Sequence, residues 1–345
     1  MLIYIILLLV LVVNCCFENN KKLFNFSIFI LFIVAALRSD DVDRDYKTYI
    51  SIYEYLINGD SYTIEPTFIL LTYISHVITG SYFFIFVIYA ALALHYKSKY
   101  IRYFSPYICL SLLIYYSNFY FVHELTQIRI GVASAIGFYS LKYIIDGRKN
   151  KFIAFVLVAT LFHFSMIILL VSLMFDTKRI SNKFIFSSFL LIIISYSIII
   201  LNFNPLEILR YIPISVLQEK LTIYKYQTAN GMVEAVNVFS ALQVIHIGVL
   251  IVVFCNANKF DDNPSMVLLC KLYSLSPISL ALLSSLPAFA IRISELFSVA
   301  DIIVLPILAL YCKQRKIARF AVVLLAVLVF FMNLYHNEIV KGYSI

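Results

Sequence analysis

Long apolar runs separated by short polar or charged turns make up most of the chain. Residues 320–332, for example, contain no polar side chain, whereas the strands of an outer-membrane barrel alternate apolar and polar positions. Because backbone polar groups in lipid must be satisfied within their own segment, such continuous runs predict α-helical spans. The candidate spans are residues 2–17, 23–37, 81–96, 105–121, 128–145, 184–202, 237–255, 266–287, 295–311 and 317–335.

Two further apolar stretches do not fit a plain span. Residues 65–79 are short for a crossing helix, which needs about 20 residues. Residues 152–175 are long enough, but basic clusters stand at both ends, and a single crossing would put one cluster on the wrong side. A re-entrant hairpin that turns near His163, together with a half-helix at 65–79, removes this conflict. The alternative is a plain span with one misplaced cluster.

The basic turns set the expected orientation, because short loops rich in Lys and Arg stay in the cytoplasm. The expected cytoplasmic segments are residues 97–99, 148–151, 178–183 and 313–316. The expected outer segments are residues 38–66, 122–127, 203–236, 288–294 and 336–345. The pattern predicts one all-α polytopic membrane domain over residues 1–345, with about 10–12 transmembrane helices and one or two re-entrant half-helices.

Composition points to the same class of protein. Hydrophobic residues make up 62% of the chain and charged residues 13%, against about 25% charged in an average soluble domain. The net charge of +8 lies in the basic turns, so it indicates membrane topology and no nucleic-acid partner. The six cysteines form no CxxC pair, and no Walker loop or dinucleotide fingerprint occurs. We therefore expect no metal and no cofactor.

Polar residues that could do chemistry concentrate in the expected outer segments, above all in 38–66 and 203–236. Tyrosines recur at helical spacing in the first of these, which is typical of an interfacial helix. The candidates are Arg38, Asp45, Tyr46, Tyr49 and Glu65 in 38–66, His123, Glu124, Gln127 and Arg129 before and at the start of span 128–145, and Arg210, Tyr224 and Tyr226 in 203–236. The ordinary alternatives are a solvated loop, an arginine that snorkels to the interface, and tyrosines that anchor there.

Two more candidates lie beside or within apolar runs. His163, close to Ser165, stands inside a run, where a histidine needs a partner or a wet cavity. A neutral histidine bonded to a backbone carbonyl is the alternative. Arg292 lies three residues before Glu295, so the two could simply form an ion pair on a helix. Several arginines at one membrane face favour an anionic amphipathic ligand such as a lipid-linked phosphate or pyrophosphate, since Arg binds phosphate bidentately and stays charged.

Four short motifs resemble the EpsG family, which belongs with the Wzy-type polymerases of bacterial O-antigen and exopolysaccharide. They are Arg38 followed by Asp45-Tyr46-x-x-Tyr49 and Glu65-Pro66, then Gln127-Ile-Arg129-Ile-Gly131, then Leu-Phe-His163-Phe-Ser165, and finally Arg292. Each motif is short, but their order and spacing across about residues 30–300 resemble the family.

The resemblance implies a glycosyltransferase of the bacterial inner membrane, GT-C-like in fold, with its active site on the outer face. It would polymerise undecaprenyl-pyrophosphate-linked repeat units, with the bilayer, a chain-length regulator and a flippase as further partners. His163, Asp45 and Glu65 would be the candidate bases. Pyrophosphate would be held by Arg129, Arg292, Arg38 and Arg210, and glycan by Tyr46, Tyr49, Glu124, Gln127, Tyr224 and Tyr226. An O-antigen ligase, a polysaccharide flippase and a membrane acyltransferase are the competing hypotheses.

Overall fold

A computed structural model describes residues 1–17, 19–201 and 236–343 of the protein. Over these ranges the chain forms helices joined by turns, with one isolated antiparallel bridge between Asp43 and Val340. The chain divides into two compact units. The first comprises residues Met1–Phe175 and Asp301–Ile345, and the second comprises residues Asp176–Ala300.

The helices follow the chain in this order. They are α1 (Leu2–Asn14), α2 (Lys21–Ala36), α3 (Tyr46–Ile57), α4 (Pro66–Thr79), α5 (Phe83–Phe104), α6 (Ile108–Tyr115) with a π-helix (Tyr116–Thr126), α7 (Ile128–Ser140), α8 (Lys142–Ile145), α9 (Lys149–Phe162) and a 3₁₀ helix (Phe164–Met174). The second unit holds α10 (Asn182–Ile200), α11 (Ala241–Cys255), a short 3₁₀ turn (Ala257–Phe260), α12 (Pro264–Tyr273), α13 (Leu275–Leu282) and α14 (Pro287–Ser298). The first unit then resumes with α15 (Asp301–Tyr311), α16 (Arg315–Phe331) and a second π-helix (Met332–His336).

The predicted spans each overlap a helix of the structure, which confirms the helical pattern. Five helical stretches of the described residues are long and apolar enough to cross a membrane, judged by length and composition. They are Ile128–Ile145, Asn182–Ile200, Pro264–Leu282, Pro287–Tyr311 and Arg315–His336. The protein is an all-α polytopic membrane protein.

The predicted break at His163 is confirmed, and the chain reverses there. Before the break, Phe155 of α9 packs on Tyr139 of α7, with ring centroids 6.4 Å apart. After the break, Met166 and Leu169 return to the same helix, where they contact the position of Gly137. Both arms therefore pack on α7, and the re-entrance of this segment into the membrane stays a prediction.

Three segments that the sequence places between predicted spans lie largely within helices instead. Residues 97–99 lie within α5, which continues to Phe104, because the first strong helix-breaking signal is Ser105-Pro106. Residues 122–127 belong largely to the π-helix, which stays buried to Leu125. Residues 288–294 lie in α14, which starts at Pro287 because proline suits the first position of a helix.

The second unit packs around α13 and α14. The Ser276 and Ser294 hydroxyls of these helices lie 3.0 Å apart, and Leu280 and Ala290 share a small apolar core with Val238. Small hydroxyl residues let membrane helices approach closely and hydrogen-bond across their interface. The unit therefore has its own interior contacts.

Candidate functional site

Three helices of the first unit begin at one place. Helix α4 starts after Glu65, because Pro66 fixes the backbone for a first helical turn. Helix α7 starts after Gln127, where the π-helix ends. The 3₁₀ helix starts after His163, whose backbone is extended and whose ring accepts a hydrogen bond from the Ser165 N–H.

These helix starts bring together three residues that the sequence singled out. Arg129 forms an ion pair with Glu65, and His163 Nε2 lies 3.9 Å from the second Glu65 oxygen. The α4 start is also tied to the end of α9, because the Thr67 hydroxyl donates to the Leu161 carbonyl at 2.7 Å. The cluster of Glu65, Arg129 and His163 is called the three-residue centre below.

The members of the three-residue centre differ in exposure. The Glu65 side chain is 4% exposed, that of His163 12% and that of Arg129 24%. A buried carboxylate is stable only when it is paired, and Arg129 provides that pair. Arg129 is thus the member best placed to meet a ligand, while Glu65 lies deeper.

The hydrogen bonds of His163 define its tautomer. Its Nδ1 atom accepts from the Ser165 N–H at 3.3 Å and lies 2.7 Å from the Ser165 hydroxyl. An Nδ1 that accepts a backbone hydrogen bond leaves the proton of a neutral imidazole on Nε2. The Nε2 atom lies 3.9 Å from a Glu65 oxygen, which is longer than a hydrogen bond.

The helix starts themselves carry a favourable field for anions. The first N–H groups of a helix lack partners within the helix, and the aligned peptide dipoles place partial positive charge there. The side chains of Glu65 and Gln127 make no capping hydrogen bond at α4 and α7. Two uncapped helix ends beside an arginine form an arrangement that suits phosphate groups.

Aromatic rings support the three-residue centre from inside the unit. The Arg129 guanidinium lies 5.8 Å from the Tyr49 ring centroid, which is within cation–π distance. Tyr49 packs on Phe68 at 5.6 Å, and Phe68 packs on Tyr89 at 6.1 Å. Because Tyr49 is buried, the geometry supports a role in which Tyr49 braces the Arg129 side chain. It does not support Tyr49 as an open surface on which a sugar could stack.

Arg38 and Tyr46 are also interior residues. Arg38 donates to Asp43 at 2.9 Å, and neither side chain is exposed. Asp43 in turn accepts from the backbone N–H groups of Asp45 and Tyr46, which begin α3. Burial raises the pKa of the Asp43 carboxyl, and the Arg38 charge and hydrogen bond oppose that rise. Tyr46 stacks on Phe86 at 4.2 Å. This geometry supports a structural role for both candidates.

The structure adds a second buried group of polar residues that the sequence did not single out as a unit. Lys97 of α5 is buried together with His123 and Glu124 of the π-helix and Ser134 of α7. The Lys97 ammonium lies 3.2 Å from both His123 Nδ1 and the Ser134 hydroxyl. The sequence around Lys97 gives no sign of this burial, because Lys97 and Lys99 with Arg102 form the kind of basic cluster that marks a cytoplasmic segment.

The remaining candidates belong to the second unit or lie outside the described residues. Arg292 is exposed on α14 of the second unit. Three candidates lie outside the described residues, namely Arg210, Tyr224 and Tyr226. The predicted outer segment 203–236 that contains them also lies outside, except for residue 236. In the described ranges, no group of three His, Cys, Asp or Glu residues could hold a metal ion.

The fold places the protein among the all-α polytopic membrane proteins, and its first unit holds an arginine and a carboxylate at converging helix starts. The family comparison identifies the class more closely: the chain belongs to the EpsG family, whose model matches residues 21–344. This family is Wzy-type polymerase-like, so membership supports a polysaccharide polymerase-like, glycosyltransferase-like role. No curated protein and no solved structure matches the chain.

Proposed function

We propose that the protein joins lipid-linked oligosaccharides at the outer face of the bacterial inner membrane. The donor is a growing glycan on undecaprenyl pyrophosphate, and the acceptor is a new undecaprenyl-pyrophosphate-linked repeat unit. The bond that forms joins an acceptor hydroxyl oxygen to the anomeric carbon of the donor. The bond that breaks joins that carbon to the pyrophosphate, which leaves with the bonding electrons.

The observation that carries this proposal is the pairing of Arg129 with Glu65 at converging helix starts. Arg129 and the two uncapped helix ends would hold the pyrophosphate and stabilise the charge that develops as it leaves. Since pyrophosphate is already a good leaving group, catalysis is mostly positioning and charge stabilisation.

Glu65 is the best-placed base for the acceptor proton. His163 Nδ1 is engaged by the Ser165 N–H, and its Nε2 atom lies 3.9 Å from a Glu65 oxygen. The ion pair with Arg129 would hold Glu65 as a carboxylate, which takes the hydroxyl proton as the new glycosidic bond forms. Asp45 lies at the start of α3 and remains the alternative base. Arg292 remains a proposed second pyrophosphate contact.

Arg129→Lys should lower the turnover of purified protein by ~10- to 100-fold, because a point charge replaces a fork that grips pyrophosphate bidentately. The assay supplies undecaprenyl-pyrophosphate-linked repeat units and measures the glycan ladder and the released undecaprenyl pyrophosphate. Arg102→Ala is the control, because Arg102 contacts Asn25 on α2 and lies outside the three-residue centre. A Lys variant with normal turnover would show that a general positive charge suffices.

The same assay separates the competing functions. A ladder from purified protein and repeat units alone indicates a polymerase. In the parent strain, deletion should leave lipopolysaccharide with a single repeat unit, whereas bare core would indicate a ligase or a flippase.

The proposed outer face can be tested with single-cysteine variants. Ser61 is exposed in the segment between α3 and α4, and we expect Ser61→Cys to react with a membrane-impermeant maleimide in intact cells. Cys312 is also exposed, but it adjoins the basic turn 313–316, so it should react only after the membrane is permeabilised. The reverse pattern would overturn the proposed orientation.

A further inference from the structure

Lys97 is a cation inside the first unit. Its side chain is fully buried on α5, with 0% of the residue exposed. A charged group at such a position is costly, and within membrane helices ionisable residues are retained for partners or function. The Tyr115 and Phe119 rings lie 5.5 and 6.0 Å from its ammonium, so cation–π contacts help to offset the cost.

The Lys97 ammonium joins two other elements. It lies 3.2 Å from His123 Nδ1 on the π-helix, and it donates to the Ser134 hydroxyl on α7, also at 3.2 Å. The Ser134 hydroxyl donates onward to the Gly131 carbonyl at 3.1 Å. One side chain from α5 therefore connects the end of the π-helix to the first turns of α7.

The connected elements enclose the turn that leads to Arg129. The Gln127 N–H donates to the Val122 carbonyl at 2.6 Å, which closes the end of the π-helix. The His123 carbonyl approaches Gly131 so closely that a side chain at Gly131 would overlap it. A π-helical end and a close backbone contact of this kind often mark a functional site. They place a side chain at a position that a regular α-helix would not reach.

We propose that Lys97 is a positioning residue: it clamps the π-helix to α7 and so sets the place of Arg129 relative to Glu65. This role rests on the proposed function, in which Arg129 holds the pyrophosphate. Lys97 itself touches no substrate in this proposal. Its effect on the reaction passes through the His123 and Ser134 contacts, which fix the turn at Gln127.

Two buried serines of α7 provide a matched pair for the test. Ser134 and Ser140 are both fully buried, and each donates to the carbonyl three residues earlier. Only Ser134 accepts from Lys97. Ser134→Ala should lower kcat by ~10- to 100-fold with KM for the repeat unit within about twofold, because a displaced Arg129 misses the transition state. Ser140→Ala should leave both parameters unchanged.

A second measurement does not depend on polymerase activity. Phenylglyoxal modifies accessible arginines, and peptide mass spectrometry can follow Arg129, which is 24% exposed in its ion pair with Glu65. Labelling of Arg129 should be several times faster in Ser134→Ala than in Ser140→Ala. Lys97→Met removes the contacts with both His123 and Ser134, so it should increase the Arg129 labelling rate further. If the Lys97→Met protein does not insert into the membrane, Ser134→Ala still provides the test.

The outcomes separate the two proposals. Equal kcat values and equal Arg129 labelling in the two serine variants would overturn the positioning role of Lys97. A wild-type protein without any polymerase activity would overturn the proposed function, while faster labelling in Ser134→Ala would still support the clamp. Ser134→Ala could also lower thermal stability while its kcat and its Arg129 labelling equal those of Ser140→Ala. That result would make Lys97 a purely structural residue and would also overturn the proposal.

Discussion

Glu65→Gln should reduce polymer formation by ~10²- to 10⁴-fold while the protein still inserts, which is the usual scale of lost general-base catalysis. The amide keeps the size of the side chain and can still accept a hydrogen bond from Arg129, but it cannot take the acceptor proton. The measurement is the rate of undecaprenyl pyrophosphate release by purified protein supplied with lipid-linked repeat units.

The control for this change is Glu54→Gln, because Glu54 is an exposed carboxylate on α3 and should not affect turnover. Glu65→Asp tests whether the position of the carboxylate matters, since aspartate retains the carboxylate but reaches less far toward Arg129. Near wild-type turnover of Glu65→Gln would remove Glu65 from the mechanism. The proton would then have to go to Asp45, the alternative base, and the Arg129–Glu65 pair would be purely structural.

The helices of this protein follow from local sequence patterns, because each apolar run must satisfy its backbone internally in lipid. The break at His163 was also predictable, since basic clusters stand at both ends of residues 152–175. The extent of α5 was not. Lys97 and Lys99 resemble a topology signal, but α5 continues past them to Phe104, since contacts from other helices satisfy Lys97 and no local rule reports those contacts.

The members of the three-residue centre were predictable one by one, but their pairing was not. Arg129 and Glu65 are 64 positions apart, and only the packing of α4, α7 and α9 brings them together. The same limit explains why the burial of Arg38 and Tyr49 could not be predicted from the sequence. In the charge-dense segment 38–66 an arginine and a tyrosine suggest a ligand site, yet both side chains are buried among partners from other elements.

Gly131→Ala should destabilise the folded protein by ~1–3 kcal/mol, the usual cost of overpacking a tight interior. An added Cβ would overlap the carbonyl oxygen of His123, with the carbonyl carbon 2.9 Å away. These are backbone atoms of the π-helix, so no flexible side chain can move aside. Alanine otherwise stabilises a helix relative to glycine by about 1 kcal/mol, so a loss would reverse the normal sign. Thermal unfolding in detergent measures it.

Two other glycines serve as graded controls for this prediction. Gly248→Ala on α11 meets no atom within 4 Å among the described residues, and it should raise stability slightly. Gly137→Ala on α7 meets the terminal methyl of Met166, and because that end is flexible the loss should be smaller than at Gly131. If Gly131→Ala unfolds at the same temperature as Gly248→Ala, the π-helix and α7 are not in backbone contact. Arg129 would then lack the support from the π-helix that the Lys97 clamp requires.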